Sequence, residues 1–138
     1  MSDPEYLVRP VGWVASPLTD RSAAPRQGDE GAPTAQIVID ARFREAAQDL
    51  RPGDKILLLT WLHLGDRTTL AVHPRGDKSR PITGVFSTRL PDRPNPIGLH
   101  AVRIESIAEG AITVRNLVAV DGTPVLDIKP VLRDPRER

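Results

Sequence analysis

The chain has 138 residues, 39% hydrophobic and 27% charged, with a formal net charge of +1 and no cysteine. That length suits a single domain, 1–138, able to bury roughly two-thirds of its unfolded surface, and the lack of thiols excludes disulfides, thiolate metal sites, iron–sulfur clusters and a cysteine nucleophile. The near-even charge balance excludes a surface that grips phosphate on every side.

The bases are unevenly chosen, with sixteen Arg against three Lys. Arg offers a planar fork for phosphate or carboxylate, so the bias permits anion sites; genomic base composition would produce the same bias. The opening MSDPEYLVRP carries acids and a proline and no apolar signal core, which points to a cytoplasmic rather than secreted protein. The longest apolar run, Ile56–Leu64, is interrupted by Thr60 and His63 and is too short to span a bilayer.

In chain order, apolar or alternating stretches predict strands at Val8–Ala15, Ala35–Ile39, Lys55–Leu64, Thr69–His73, Ile82–Thr88, His100–Ile107, Ala111–Ala119 and Val125–Leu132, with Pro, Gly or Asp clusters between most of them. One short helix is expected in DARFREAAQDL, where Phe43, Ala46, Ala47 and Leu50 recur at helical spacing, Asp40 is the N-cap and Arg51-Pro52-Gly53 stops the run. Ala101–Ile107 and Ala111–Leu117 alternate around Glu109-Gly110, the pattern of a β-hairpin with one buried face. So many short strands in one small domain call for closure, and the expected fold is all-β, a small closed barrel of about six to eight strands. No βαβ rhythm or glycine-rich phosphate loop is present, which disfavours a doubly wound nucleotide-binding fold. Two loops stand out: Ser16–Thr34, long enough to be functional or disordered, and the basic His73–Pro81, which reads as a solvated hairpin tip.

Candidate chemistry concentrates in two runs. In GVFSTRLPDRPNPIGL, Pro91, Pro94 and Pro96 fix their own φ angles and restrain Leu90, Arg93 and Asn95 toward extended geometry. A stiffened backbone presenting Arg89, Asp92, Arg93 and Asn95 is preorganised for binding, and it would serve equally as a rigid exposed connection. In DGTPVLDIKP a turn leads into a short strand that puts Asp127 and Lys129 on one face, as a site-lining pair or an ordinary surface ion pair. His63, His73 and His100 have no ligand-like spacing, so no metal site is expected.

The first run resembles the G-V-F-A-T-R-S-P-x-R-P-N-P-I-G-L signature of the TsaA-like (TrmO) family, and DGTPVLDIKP resembles its second block. VGWVASPLTDRSAAPRQG and LLLTWLHL are similar to two further blocks, so the likeness runs in family order from Val8 to Val131. The resemblance implies a compact β-barrel, usually dimeric, that uses S-adenosyl-L-methionine to methylate N6 of threonylcarbamoyl-adenosine beside the anticodon of tRNA. It implies cofactor contacts at Gln27, Gly28, His63, Leu64, Arg89, Leu99, Asn116, Leu117 and Val118. By the same motifs Arg93, Asn95, Asp121 and Lys129 are candidate contacts to the substrate or across a dimer interface, with Arg93 or Lys129 suited to the threonyl carboxylate. Asp127 and His63 are candidate acceptors for the N6 proton.

Departures from the family pattern are Val118 for an aspartate, Leu90 for serine, Val131 for tyrosine, and Trp61-Leu62 where two aromatics are common. Beside the longer members, the resemblance leads to the expectation of a short form without their C-terminal domain and with fewer tRNA contacts. Two rivals follow: a methyltransferase for another RNA or small molecule, and an S-adenosyl-L-methionine-binding module without turnover. A tRNA-binding assay and its salt slope separate the RNA readings from the others.

Overall fold

The computed structural model describes residues 3–19, 34–134 and 136. Among the described residues there are eight strands: β1 (Gly12–Ala15), β2 (Ala35–Ile39), β3 (Lys55–Trp61), β4 (Ala71–Val72), β5 (Thr83–Gly84), β6 (Ile97–Ala108), β7 (Ala111–Arg115) and β8 (Pro124–Pro130). Six of them close an antiparallel barrel in the spatial order β1-β2-β7-β6-β3-β8, and β4 and β5 form a separate two-stranded ribbon. The expected all-β barrel is thus what forms. Closure leaves the barrel itself with no free sheet edge, while the ribbon keeps its two.

Alternation along the strands fills the barrel. Val14, Ile37, Ile56, Leu58, Ile104, Ile112, Val114 and Val125 are almost wholly buried, and Leu117 and Ala119 join them from the segment after β7. At about 25 cal/mol per Å² of apolar surface removed from water, each large aliphatic among them stabilises the fold by about 1.5–3 kcal/mol. The β6–β7 hairpin turns at Glu109-Gly110 as expected, with Gly110 at φ +67°, a left-handed position where a Cβ is disfavoured.

Two bulges tune the alternation. In β8, Leu59 pairs with Asp127 while Thr60 pairs with Val125, so Leu126 is the extra residue. Without that bulge Asp127 would share the inward face of Val125; with it, Ile128 packs on the core. In β6 the register skips Glu105, whose carboxylate pairs with Arg115 of the neighbouring strand.

Several boundaries differ from the sequence expectation. The helix is a 3-10 helix over Ala41–Ala47, capped by the Asp40 side chain accepting from the Arg42 N–H at 2.9 Å. Gln48 and Leu50 continue it with i→i+3 bonds to Glu45 and Ala47, the tighter 3-10 pattern in place of an α-helical ladder. The first strand begins at Gly12 rather than Val8, after Pro10, which has no N–H to give a ladder. Strand β3 ends at Trp61 because His63 N–H turns back to the Trp61 carbonyl at 2.9 Å. The stretch predicted over Ile82–Thr88 is two strand residues followed by a 3-10 turn at Val85–Ser87, and β7 stops at Arg115 because Asn116 is left-handed, at φ 64°.

Candidate functional site

One end of the barrel opens into a broad cleft of about 1620 Å³. Four separated stretches supply its walls: Leu62–Gly65 beyond β3, the β4–β5 ribbon, the proline-stiffened segment with the start of β6, and the segment from Asn116 to Thr123. His63, Leu64, Arg89, Arg93, Asn95, Leu99, Asn116 and Val118 all line it. Residues read as site candidates in separate parts of the sequence are therefore brought together.

Hydrogen bonds set the walls. Leu62 N–H donates to the Pro96 carbonyl at 2.7 Å, joining the end of β3 to the proline segment. Arg93 Nη1 donates to the carbonyls of Thr88 (2.9 Å) and Leu90 (3.0 Å), so its guanidinium staples the turn that carries it. Arg89 Nη2 reaches the Leu99 carbonyl at 3.2 Å. Arg67, which no motif marked, donates from Nε to the Pro94 carbonyl (2.8 Å) and from Nη2 to Asn95 Oδ1 (2.9 Å), while its guanidinium carbon lies 5.1 Å from the centroid of the Trp61 ring. Asp66 N–H donates to Asp92 Oδ1 at 2.8 Å, and Asp66 Oδ1 accepts from the Thr68 hydroxyl and N–H. The Thr68 hydroxyl and N–H hold the Asp66 carboxyl below the usual carboxylate range.

The floor of the cleft holds a polar pair the sequence did not single out. Thr60, fully buried, places Oγ1 2.9 Å from His100 Nε2. Burial, and then the nearby Arg89 charge, lower the His100 pKa to about 4, so the imidazole is neutral. Gly98 makes the pair possible: a Cβ there would run into Thr60 Oγ1 and His100 Nε2. The only sequence signal was position, since His100 falls on the same face as Gly98 and Val102.

Other candidates sit elsewhere. The Leu117 side chain is fully buried in the core, which leaves its backbone for any ligand. Asp121 Oδ1 accepts from Ser16 N–H at 3.0 Å and Asp121 N–H donates to the Leu18 carbonyl at 2.6 Å, which fixes the path after β1. Asp127 and Lys129 form an ion pair at 3.0 Å, about half exposed, on β8 and outside the cleft lining. Gln27 and Gly28 lie outside the described residues. Among the described residues no group of three His, Asp or Glu could hold a metal ion, and no helix is long and apolar enough to cross a membrane.

A closed six-stranded barrel with a broad, arginine-lined cleft at one end defines a β-barrel ligand-binding domain, not a helix-flanked nucleotide-binding sheet. More narrowly, the chain belongs to the family of the tRNA-methyltransferase O N-terminal domain, whose family model matches residues 13–135. It is 46% identical over 134 residues to a probable S-adenosyl-L-methionine-binding protein of Methanothermobacter thermautotrophicus, covering 97% of this chain and 96% of that protein. An S-adenosyl-L-methionine-binding protein of Archaeoglobus fulgidus is 37% identical over 123 residues, which is 89% of this chain and 87% of the relative. The crystal structure of TrmO from Pseudomonas aeruginosa superposes with a TM-score of 0.73 at 32% identity over 94% of this chain. This chain spans 57% of the length of that TrmO chain.

Proposed function

We propose that this protein is an S-adenosyl-L-methionine-dependent methyltransferase that modifies tRNA, transferring a methyl group to N6 of threonylcarbamoyl-adenosine beside the anticodon. The observation that carries the reading is convergence: His63-Leu64, Arg89–Leu99 and Asn116–Val118, distant in sequence, line one cleft.

The donor set fits the cofactor. Leu64, Leu99 and Val118 offer apolar surface for a nucleoside, and the Asn116 amide, His63 imidazole and Arg89 guanidinium offer partners for polar and carboxylate groups. S-adenosyl-L-methionine supplies a methyl group already activated on a sulfonium, so the protein's task is placement of the acceptor rather than covalent chemistry. His63 faces the cleft and is the proposed acceptor of the N6 proton; Asp127, the other candidate, would need approach from outside it. Arg93 and Asn95 present the stapled segment to the acceptor, with Arg93 the proposed partner of the threonyl carboxylate.

We also propose that the protein works in the cytoplasm as a homodimer. Leu70 and Ile82, on either side of the ribbon, are 70% and 67% exposed and supply apolar surface for a second copy. A different methyl acceptor is the second reading, favoured by Val118 standing in the cleft where the family motif carries an aspartate.

Calorimetric titration with S-adenosyl-L-methionine and S-adenosylhomocysteine, followed by methylation assays on tRNA with and without the threonylcarbamoyl group, tests the whole scheme. Saturable binding near −8 kcal/mol (about micromolar) with methylation only of the carbamoylated tRNA supports it. Cofactor binding without tRNA methylation moves the reading to another acceptor. No cofactor binding by the folded protein overturns it.

A further inference from the structure

The positive charge of this protein is unevenly placed. Its formal net charge is +1, yet the cleft is lined by Arg75, Arg80, Arg89 and Arg93 against a single carboxylate, Asp92. Arg89 and Arg93 are held by carbonyls of the proline segment and the start of β6. Arg75 and Arg80 come from the loop that joins β4 to β5, and Lys78 lies between them; all three are exposed.

That loop is built rather than loose. His73 Nδ1 meets the Arg80 carbonyl at 2.9 Å and closes its base. Gly76 N–H bonds the His73 carbonyl, Asp77 N–H the Pro74 carbonyl and Arg80 N–H the Asp77 carbonyl, so the backbone is cross-braced along its length. The one acid of the loop is engaged locally: Asp77 Oδ1 accepts from Ser79 N–H at 2.9 Å and from the Ser79 hydroxyl. Arg75 sits at φ 54°, a left-handed position where asparagine or glycine would be easier, and it carries a guanidinium there nonetheless.

We infer that the β4–β5 loop is a phosphate-contacting lip for RNA, with Arg75, Lys78 and Arg80 gripping the backbone of the nucleic acid whose target nucleotide enters the cleft. The inference rests on the proposed tRNA reading and adds to it the element that holds the polymer. Phe86, which lines the same cleft and is 83% exposed, favours RNA over an acidic peptide, because an exposed aromatic ring beside arginines is a platform for an unpaired base. Three added contacts on one preorganised loop give grip without a basic surface overall.

The test is binding of bulk tRNA to the full chain across a salt series, with the thermal midpoint as the folding control. Replacing Arg75, Lys78 and Arg80 together by alanine is expected to lower the steepness of log Kd against log salt by about two, at roughly 0.7 per contact, and to weaken binding about 100-fold near 0.1 M salt. Lysine at positions 75 and 80 restores most of the slope. Removing the same kind of charge from the far side, Arg42→Ala with Arg44→Ala, leaves binding within about twofold. An unchanged slope in the triple variant, with tRNA methylation by the parent protein intact, overturns the lip and spares the proposed function. Polyglutamate competing as well as tRNA overturns it in favour of an acidic protein partner. A parent protein that binds S-adenosyl-L-methionine but no tRNA at low salt overturns both the lip and the tRNA reading.

Discussion

Thr60 and His100 meet diagonally across the β3–β6 pairing. The register partner of Thr60 is Gly98, and that of His100 is Leu58, yet Thr60 Oγ1 and His100 Nε2 lie 2.9 Å apart. The imidazole occupies the space a side chain at position 98 would fill. The barrel thereby ends, at its cleft, in a hydrogen-bonded polar pair instead of another aliphatic layer.

Acid should act on this pair selectively. Free imidazole titrates near 6.5, whereas His100 in the fold titrates at about 4. Between those values the unfolded chain takes up a proton that the folded chain refuses, so stability falls as pH drops through 6.5 and the loss is complete near 4. The maximum is roughly 3 kcal/mol. His100→Gln removes that component: urea unfolding of both proteins from about pH 7 to pH 4.5 should show a shallower decline in the variant. Parallel declines would mean that His100 is not held neutral.

Gly98→Ala forces a methyl group into Thr60 Oγ1 and His100 Nε2. Overpacking of a close-packed interior costs about 1–3 kcal/mol, which for a domain of this size lowers Tm by roughly 3–12 °C. Calorimetric melting decides it, and a variant that melts with the parent protein would show that the floor of the cleft can yield.

Arg67 ties the Trp61 ring, the Pro94 carbonyl and Asn95 Oδ1 into one contact set. Lysine cannot reproduce that planar fork. Arg67→Lys should leave global stability within about 1 kcal/mol, because the contacts are exposed, while amide hydrogen exchange around Asn95 and Ile97 accelerates. Unchanged exchange there would remove Arg67 from the bracing of the proline segment.

Asp121 acts through one oxygen, which receives the Ser16 N–H. Asn keeps that acceptor and Ala does not. Asp121→Asn should therefore melt within about 0.5 kcal/mol of the parent protein and Asp121→Ala should lose about 1 kcal/mol. Equal losses would point to the charge instead of the hydrogen bond.

What was legible in the sequence was local or periodic. The Glu109-Gly110 hairpin, the Ala35–Ile39 strand and the Asp40 cap depend on neighbours within a few residues, and they are present, whereas the helical run ends at Ala47, short of the expected stop at Arg51-Pro52-Gly53. The grouping of His63, Arg89 and Asn116 came from motif resemblance, since nothing in spacing alone joins positions that far apart. Unread features depend on register or on long-range approach. The Leu126 bulge exists because β8 must satisfy β3 on one side while turning Ile128 inward. The Thr60–His100 bond crosses 40 positions, and Arg67 reaches 28 positions to Asn95. Asp127 and Lys129 were correctly placed on one face, but which side of the barrel that face looks to is decided by the bulge.

The barrel is not equally strong around its circumference. Strands β3 and β6 pair continuously from Lys55↔Arg103 to Trp61↔Ile97, whereas β1 and β8 share two register pairs, Gly12↔Val125 and Trp13↔Pro124, flanked by backbone bonds from Val11 N–H to the Val125 carbonyl, Val14 N–H to the Thr123 carbonyl and Gly122 N–H to the Val14 carbonyl, and Pro124 has no N–H to contribute. A pulling force or a rising temperature would find that line first, unzipping the cylinder into an open sheet while the β3–β6 staves still hold.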